Sequence, residues 1–204
     1  MAEKQRDAVL QQVLVQLSKH NENIVKMQKE IAYLKQKYKL SIVKHLNSMD
    51  IKPALTLKMW IRNLPIKQRD LEFVFTNNLK DGILQVFQCE FDAVAILHSF
   101  IPLKAFIQKP KTLYAYNDEN VWEVLDIATF KKLCISIGSR FLDLYLQWQK
   151  HNSSDNEEEG SIGQERDILF MKKVMDESYK TNVSIGKMME TIHNSIQTSF
   201  QQID

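Results

Sequence analysis

Residues 10–38 read LQQVLVQLSKHNENIVKMQKEIAYLKQKY, with apolar side chains at alternating spacings of three and four residues. With Leu10 as heptad position a, eight of the nine a and d residues are apolar or aromatic, and no Gly or Pro interrupts the run. A period of 3.5 residues sustained this long is typical of a coiled coil, so we predict a long helix that self-associates through this seam. The seam comprises Leu10, Val13, Leu17, His20, Ile24, Met27, Ile31, Leu34 and Tyr38.

The sequence leaves the number of strands in this coiled coil open. Ile24 and Ile31 at a positions with Leu34 at d are typical of a parallel dimer. Leu10 and Leu17 also occupy a positions, where a parallel dimer favours β-branched residues, and they weaken that assignment. A second apolar edge beside the seam would suit a third strand or a neighbouring helix, and it consists of Val9 and Leu14.

His20 is the one polar residue of the seam, at a d position. It has two interpretations. One is a pH-sensitive layer, because a protonated imidazole is costly to place between helices. The other is a polar layer that fixes the alignment of the helices or simply reaches solvent.

We divide the rest of the chain by composition. Residues 1–50 form the predicted oligomerisation helix, which ends before Pro53 because proline disfavours a helical residue in front of it. Residues 53–150 hold all three Trp and eight of the ten Phe, so they form the predicted globular domain. Residues 151–164 are polar and acidic and are predicted to be a flexible linker. Residues 165–204 are predicted to be amphipathic helices.

Within the globular domain, Asp70 is the expected N-cap of one helix that runs through Phe87. The β-prone runs 112–116 and 121–125 flank the polar turn Asn117-Asp-Glu-Asn120, which predicts a β-hairpin. Phe106 and Ile107 are candidates for a third strand, and Asp126 is the expected cap of a strong helix that reaches Trp148. The fold class is therefore α+β, mainly helical, with a small antiparallel sheet.

The charge distribution raises an alternative partner. Residues 1–69 carry a formal charge of +9, residues 70–150 carry −2 and residues 151–204 carry −5. A lysine-rich neck and hairpin would bind phosphate backbones electrostatically, without reading bases. The candidate nucleic-acid contacts are Lys35, Lys37, Lys39, Lys44, Lys104, Lys109 and Lys111.

The sequence contains few motifs that are typical of catalysis, cofactor binding or metal binding. No phosphate loop, dinucleotide fingerprint, nucleophile elbow or metal-ligand spacing occurs, so we expect no enzyme, cofactor or metal. The acids Asp118, Glu119 and Glu123 are expected to serve the hairpin turn. Cys89 and Cys134 are expected to be buried free thiols.

The sequence shows neither a secretory signal nor a membrane span. Its first residues, MAEKQRDAVLQQ, are charged and lack the apolar core of a secretory signal. No run of about 18 uncharged apolar residues predicts a membrane span. We therefore expect a cytoplasmic protein that does not enter a membrane.

Several short runs together resemble a known family. They read IPLKAFIQK at 101–109, TLYAY at 112–116, VW at 121–122 and WQKHN at 148–152. With the helical run around residues 71–83, this pattern resembles uncharacterised proteins of nucleocytoplasmic large DNA viruses, in many of which the domain follows a coiled coil. The resemblance covers about residues 70–200 and implies a viral protein of the host cytoplasm, viral factory or virion. It implies no established activity.

The expected function is a non-enzymatic, oligomeric interaction or scaffold protein. The alternative is a nucleic-acid-binding accessory protein that uses the lysine-rich neck. A further protein partner could dock on the Met-rich face of the C-terminal helices, although the same face could equally belong to the core.

Overall fold

The computed structural model describes residues 2–93, 101–153 and 161–199. The chain divides into two units, Met1–Ser48 and Met49–Asp204. Helices dominate the described residues, and a small four-stranded sheet completes them. The predicted α+β, mainly helical class is therefore confirmed.

The first unit is a single helix, α1, Ala2–Ser48. It contains neither Gly nor Pro, so nothing in the backbone chemistry interrupts it over 47 residues. At about 1.5 Å per residue it is roughly 70 Å long. The predicted long N-terminal helix is confirmed.

The second unit is built from six α-helices and one 3-10 turn among its described residues. They are α2 (Leu57–Asn63), α3 (Gln68–Thr76), α4 (Leu79–Ala93), α5 (Ile127–Ser153), α6 (Ser161–Val174), the 3-10 turn Ser178–Lys180 and α7 (Asn182–Ile196). Asp126 caps α5 as predicted, because its Oδ1 accepts a hydrogen bond from the Thr129 backbone N–H at 2.9 Å.

The sheet has four strands in the order β3-β2-β1-β4. The predicted hairpin is present as β2 and β3. A third strand, β1, pairs with β2 in antiparallel fashion, but it ends at Phe106 and so shares only that residue with the strand predicted at Phe106 and Ile107. The fourth strand was not predicted and runs parallel to β1, so the sheet is mixed rather than purely antiparallel. The strands are β1 (Leu103–Phe106), β2 (Leu113–Tyr116), β3 (Trp122–Val124) and β4 (Gln197–Thr198).

The helix predicted from Asp70 through Phe87 is wrong in two respects. Its cap position is Lys67, and Asp70 lies in the first turn, where its Oδ2 accepts the Lys67 N–H at 2.7 Å. The segment also breaks into α3 and α4, because Asn78 caps a new helix by accepting the Asp81 N–H on its Oδ1 at 2.9 Å. An asparagine that bonds to the backbone in this way competes with helix continuation.

Gly82 permits a close approach between α3 and α4. A Cβ built at this position would lie 2.3 Å from Val74 Cγ2, which is far inside van der Waals contact. Any larger residue would therefore require the Val74 side chain or the helices to shift. The glycine that weakens the helix pattern in the sequence is what lets α4 reach the core.

The C-terminal helices belong to the same core as residues 53–150. Ile185 and Ile192 of α7 are buried, and Phe170 of α6 stacks on Phe75 of α3 with ring centroids 4.0 Å apart. Lys173 of α6 donates to the Phe75 carbonyl at 2.7 Å, where a cation suits the carboxyl end of α3. Residue 150 is therefore not a domain boundary in the structure, contrary to our division.

The linker predicted at 151–164 also differs from the structure. Its first residues are the last turn of α5, and its final residues begin α6. Its centre, residues 154–160, lies outside the described residues, as do residues 200–204 of the predicted C-terminal segment. Composition marked the segment as polar, but polarity alone does not separate an exposed helix end from a linker.

Candidate interaction surfaces

The predicted seam lies on α1 as one exposed apolar stripe. Its seven apolar residues from Leu10 to Leu34 have between 47% and 61% of their surfaces exposed. His20 is exposed among them, and the side chain of Tyr38 lies outside the described ones. Apolar side chains aligned in this way along one side of a helix are typical of an interaction surface. Self-association through the stripe stays a prediction.

A second surface is a groove of about 580 Å³ between α2, the β2–β3 hairpin and α5. Its floor is apolar and includes Leu57, Ile61 and Leu125. Its rim carries both signs of charge and comprises Lys58, Arg62, Lys132, Asp118, Glu119 and Glu123. Because both signs line it, the groove selects neither a strongly acidic nor a strongly basic ligand.

Asp118 ties the hairpin turn to the start of α2. Its carboxylate accepts the Thr56 hydroxyl at 2.9 Å and the Lys58 ammonium at 3.1 Å. The hydrogen bond from Thr56 and then that from Lys58 hold the pKa of Asp118 below its ordinary value. The Thr56 hydroxyl in turn accepts the Met59 N–H and caps α2. Asp118 therefore connects the hairpin turn to α2.

The seven candidate lysines fall into two separate groups. Lys35 and Lys44 are exposed on α1, whereas the side chains of Lys37 and Lys39 lie outside the described ones. The second group, at β1 and the turn after it, consists of Lys104, Lys109 and Lys111.

Two lysines of the second group are engaged within the protein. Lys104 is 5.8 Å above the Trp122 ring, and burial lowers the pKa of its ammonium. Lys111 forms an ion pair with Glu190 at 3.1 Å. Nucleic-acid binding by these lysines stays a prediction, and its test is a salt titration of duplex DNA binding.

The methionines of the C-terminal segment divide between core and surface. Met188 and Met189 of α7 are buried among core side chains, so that half of the Met-rich face is not available to a partner. Met171 and Met175 are exposed, together with Ile168 on the same side of α6. Docking of another protein on this segment stays a prediction for α6 alone.

His193 is a buried residue that the sequence analysis did not single out. It is 2% exposed, and its Nε2 lies 3.3 Å from the Phe106 carbonyl oxygen and 3.1 Å from that of Lys109. Both carbonyls are acceptors, so Nε2 carries the proton in this arrangement. The imidazole thereby holds the end of β1 and its following turn against α7. Only its place on the buried face of α7, at i+4 from Met189, could have indicated this role.

The two cysteines differ in their surroundings, and only Cys134 is buried as expected. Burial raises the pKa of the Cys134 thiol to about 12, so little thiolate exists near neutral pH. Cys89 is half-buried, and its sulfur accepts a hydrogen bond from Gln85 at 3.4 Å. Within the ranges that the structure describes, no group of three or more His, Cys, Asp or Glu residues is placed to hold a metal ion.

A helix that crosses a bilayer must be both long and apolar. Over the part of the chain that the structure describes, none combines the length and the apolar character that a membrane crossing needs.

Comparisons of the chain with protein-family models, with curated proteins and with solved structures find no significant match.

Proposed function

We propose that the protein is a non-enzymatic oligomeric scaffold, in which α1 self-associates and the second unit is presented to partners. The observation that carries this proposal is the apolar stripe on α1, whose seven apolar residues remain 47% to 61% exposed. The 3,4 spacing of these residues is the pattern that a second helix of the same kind buries.

Burial of the stripe would supply a driving force for association. Burying a fully exposed Val, Leu, Ile or Met side chain contributes roughly 1.5–3 kcal/mol, so half-exposed ones contribute roughly half of that. Seven such side chains together contribute roughly 5–10 kcal/mol per chain, against which the entropic cost of association must be set. A stable oligomer at micromolar concentration is the expected result.

The second unit supplies the surface that such a scaffold presents. Its aromatic-rich core makes it a folded module, and the mixed-charge groove between α2, the β2–β3 hairpin and α5 is a concave surface that a partner could contact. The resemblance to proteins of large DNA viruses supports a setting in the host cytoplasm, a viral factory or a virion.

The test is the mass of the full chain in solution. Wild-type protein should elute as a multiple of its 23.9 kDa chain mass in size-exclusion chromatography with light scattering. The double variant Ile24→Asp/Ile31→Asp places carboxylates in the seam and should be monomeric, because each carboxylate would have to be desolvated on association.

A matched control separates the seam from a general effect of charge on the helix. Val15 and Val25 occupy heptad positions f and b, outside the seam, and are 69% and 49% exposed. The variant Val15→Asp/Val25→Asp adds the same charge to the same helix and should keep the wild-type mass. A monomeric wild type, or equal masses for the seam variant and the wild type, would contradict the proposal.

A further inference from the structure

We infer that α1 pairs with a second copy of itself as a parallel, in-register, two-stranded coiled coil. This inference rests on the proposed self-association and adds the partner's orientation, alignment and number. Three features of the exposed stripe support it: the single polar layer, the β-branched a positions, and the residues that border the seam.

The first feature is His20. In a parallel, in-register pair, each d residue meets its own copy, so the two imidazoles share one polar layer. In an antiparallel pair that overlaps over the whole seam, each d residue meets an a residue of its partner. His20 would then face Ile24, and two mismatched layers would replace one matched layer. A polar residue opposite an aliphatic one loses its hydrogen-bond partners, so the parallel arrangement is favoured.

The second feature is the shape of the neighbouring a residues. Ile24 and Ile31 are both β-branched and lie at successive a positions, with Leu34 at d. β-Branched residues at a with leucine at d favour two parallel strands. This half of the seam therefore selects the dimer, although Leu17 precedes it.

The third feature is the pairing of g and e positions, which flank the seam. In a parallel, in-register dimer, each g residue lies beside the e residue five places later in the partner. Gln16 then meets Asn21, and Asn23 meets Gln28, so amides face amides across the interface.

The last of these flanking pairs is charged. Glu30 at g meets Lys35 at e of the partner, and both side chains are exposed on α1. Opposite charges at this g–e pair stabilise the parallel alignment, and no like charges oppose each other from Gln16 to Lys35. In the fully overlapped antiparallel pair, Glu30 would instead lie beside Gln16 of the partner.

A parallel dimer has a geometric consequence for the scaffold. In a parallel dimer both chains continue into their second units from the same end of the coiled coil. In an antiparallel pair they would continue from opposite ends.

Disulfide trapping tests the orientation directly. The variants Val13→Cys and Ile31→Cys are each made in a full-length Cys89→Ser background, which leaves the buried Cys134 as the other thiol. A disulfide requires Cα atoms within about 7 Å. A parallel, in-register dimer brings each introduced cysteine beside its own copy, so each variant alone should form a disulfide-linked dimer under mild oxidation.

The antiparallel alternative gives the reverse pattern. Residues 13 and 31 lie roughly 27 Å apart along one helix, so neither variant alone could form a disulfide, whereas a mixture of the two would. Disulfides only in the mixture, or none at either position, would overturn the inference. So would a trimeric mass of the wild type in light scattering. Those outcomes leave self-association standing, whereas a monomeric wild type would overturn the proposed function itself.

Discussion

Ile24 in α1 leaves 50% of its surface in water, whereas Ile185 in α7, the same side chain in another helix, leaves none. The difference lies in what surrounds each helix. α7 packs on α4, α5 and β1 within the second unit, and these contacts bury its apolar face. The apolar stripe of α1 is not buried in this way within one chain. Equal hydrophobicity thus stabilises the fold of the second unit, whereas in α1 it stays available for the self-association that we propose.

The largest expected effect comes from emptying the core of the second unit. Phe141 of α5 is fully buried, and Phe141→Ala should lower the free energy of unfolding by about 3–5 kcal/mol through lost burial and a residual cavity. Urea denaturation followed by tryptophan fluorescence measures this change.

The corresponding truncation in the stripe should act differently. Leu17→Ala in α1 should weaken oligomerisation in analytical ultracentrifugation and leave the unfolding of the second unit unchanged. If Leu17→Ala lowered the unfolding midpoint as much as Phe141→Ala does, the proposed difference between α1 and the second unit would be contradicted.

A second truncation tests whether α7 belongs to the core. Ile185→Ala should lower the free energy of unfolding by about 2–5 kcal/mol, because the side chain is fully buried. Val183→Ala, two residues earlier on the exposed face of α7, should change it little. If both variants change the free energy of unfolding equally little, a domain boundary near residue 150 would be supported after all.

A smaller effect is expected at the start of α5. Asp126 accepts the backbone N–H of Thr129 at 2.9 Å and the Thr129 hydroxyl at 2.6 Å. Asp126→Ala should lower the free energy of unfolding by about 1 kcal/mol, as is usual for a lost N-cap, and Asp126→Asn should recover most of it. Thermal unfolding of the three proteins checks this, and equal loss in both variants would contradict capping as the cause.

The smallest effect concerns the tie between the hairpin and α2. The pKa of Asp118 lies below its ordinary value, so the carboxylate stabilises the fold above about pH 3.9, the value expected when unfolded. This stabilisation is lost as the pH falls through the lower folded pKa. The melting temperature of Asp118→Asn should therefore lie slightly below that of the wild type at pH 7 and meet it in acid.

Glu119→Gln is the matched control for that titration. It removes the same charge from the same turn without touching the contacts of Thr56 and Lys58 with Asp118. Its difference from the wild type should not follow the pH profile of Asp118→Asn. The effect of Asp118→Asn itself is expected to be small, because the side chain is 55% exposed and solvent screens the pair.

Local patterns predicted the parts of the fold that depend on local chemistry. The heptads of α1, the hairpin around Asn117 and the cap at Asp126 each follow from a few neighbouring residues, and all three elements are present. The candidate seam was also visible, because a periodic stripe can be recognised without knowledge of its partner. Whether that stripe self-associates stays a prediction.

The parts of the fold that the sequence did not indicate depend on contacts between residues far apart in the chain. Nothing near Gln197 indicates a strand, because β4 exists only through its pairing with β1. The break at Asn78 depended on whether one side chain bonded to its own backbone or let the helix continue. The burial of Met188 required knowing where α4 and α5 would lie. Lys104 was counted as a surface charge, although its Nζ lies 5.8 Å from the centre of the Trp122 ring.

The pairing of β4 with β1 has a consequence for how the chain is made. Ala105 lies opposite Gln197, so roughly 90 residues are synthesised between the two partners. At about 5–20 residues per second, a ribosome takes about 5–20 seconds to add them. During that interval β4 does not yet exist, so it cannot pair with the outer edge of β1. An unpaired strand edge is a template for pairing with other chains. Until β4 has been translated, this edge of β1 therefore has no partner strand from its own chain.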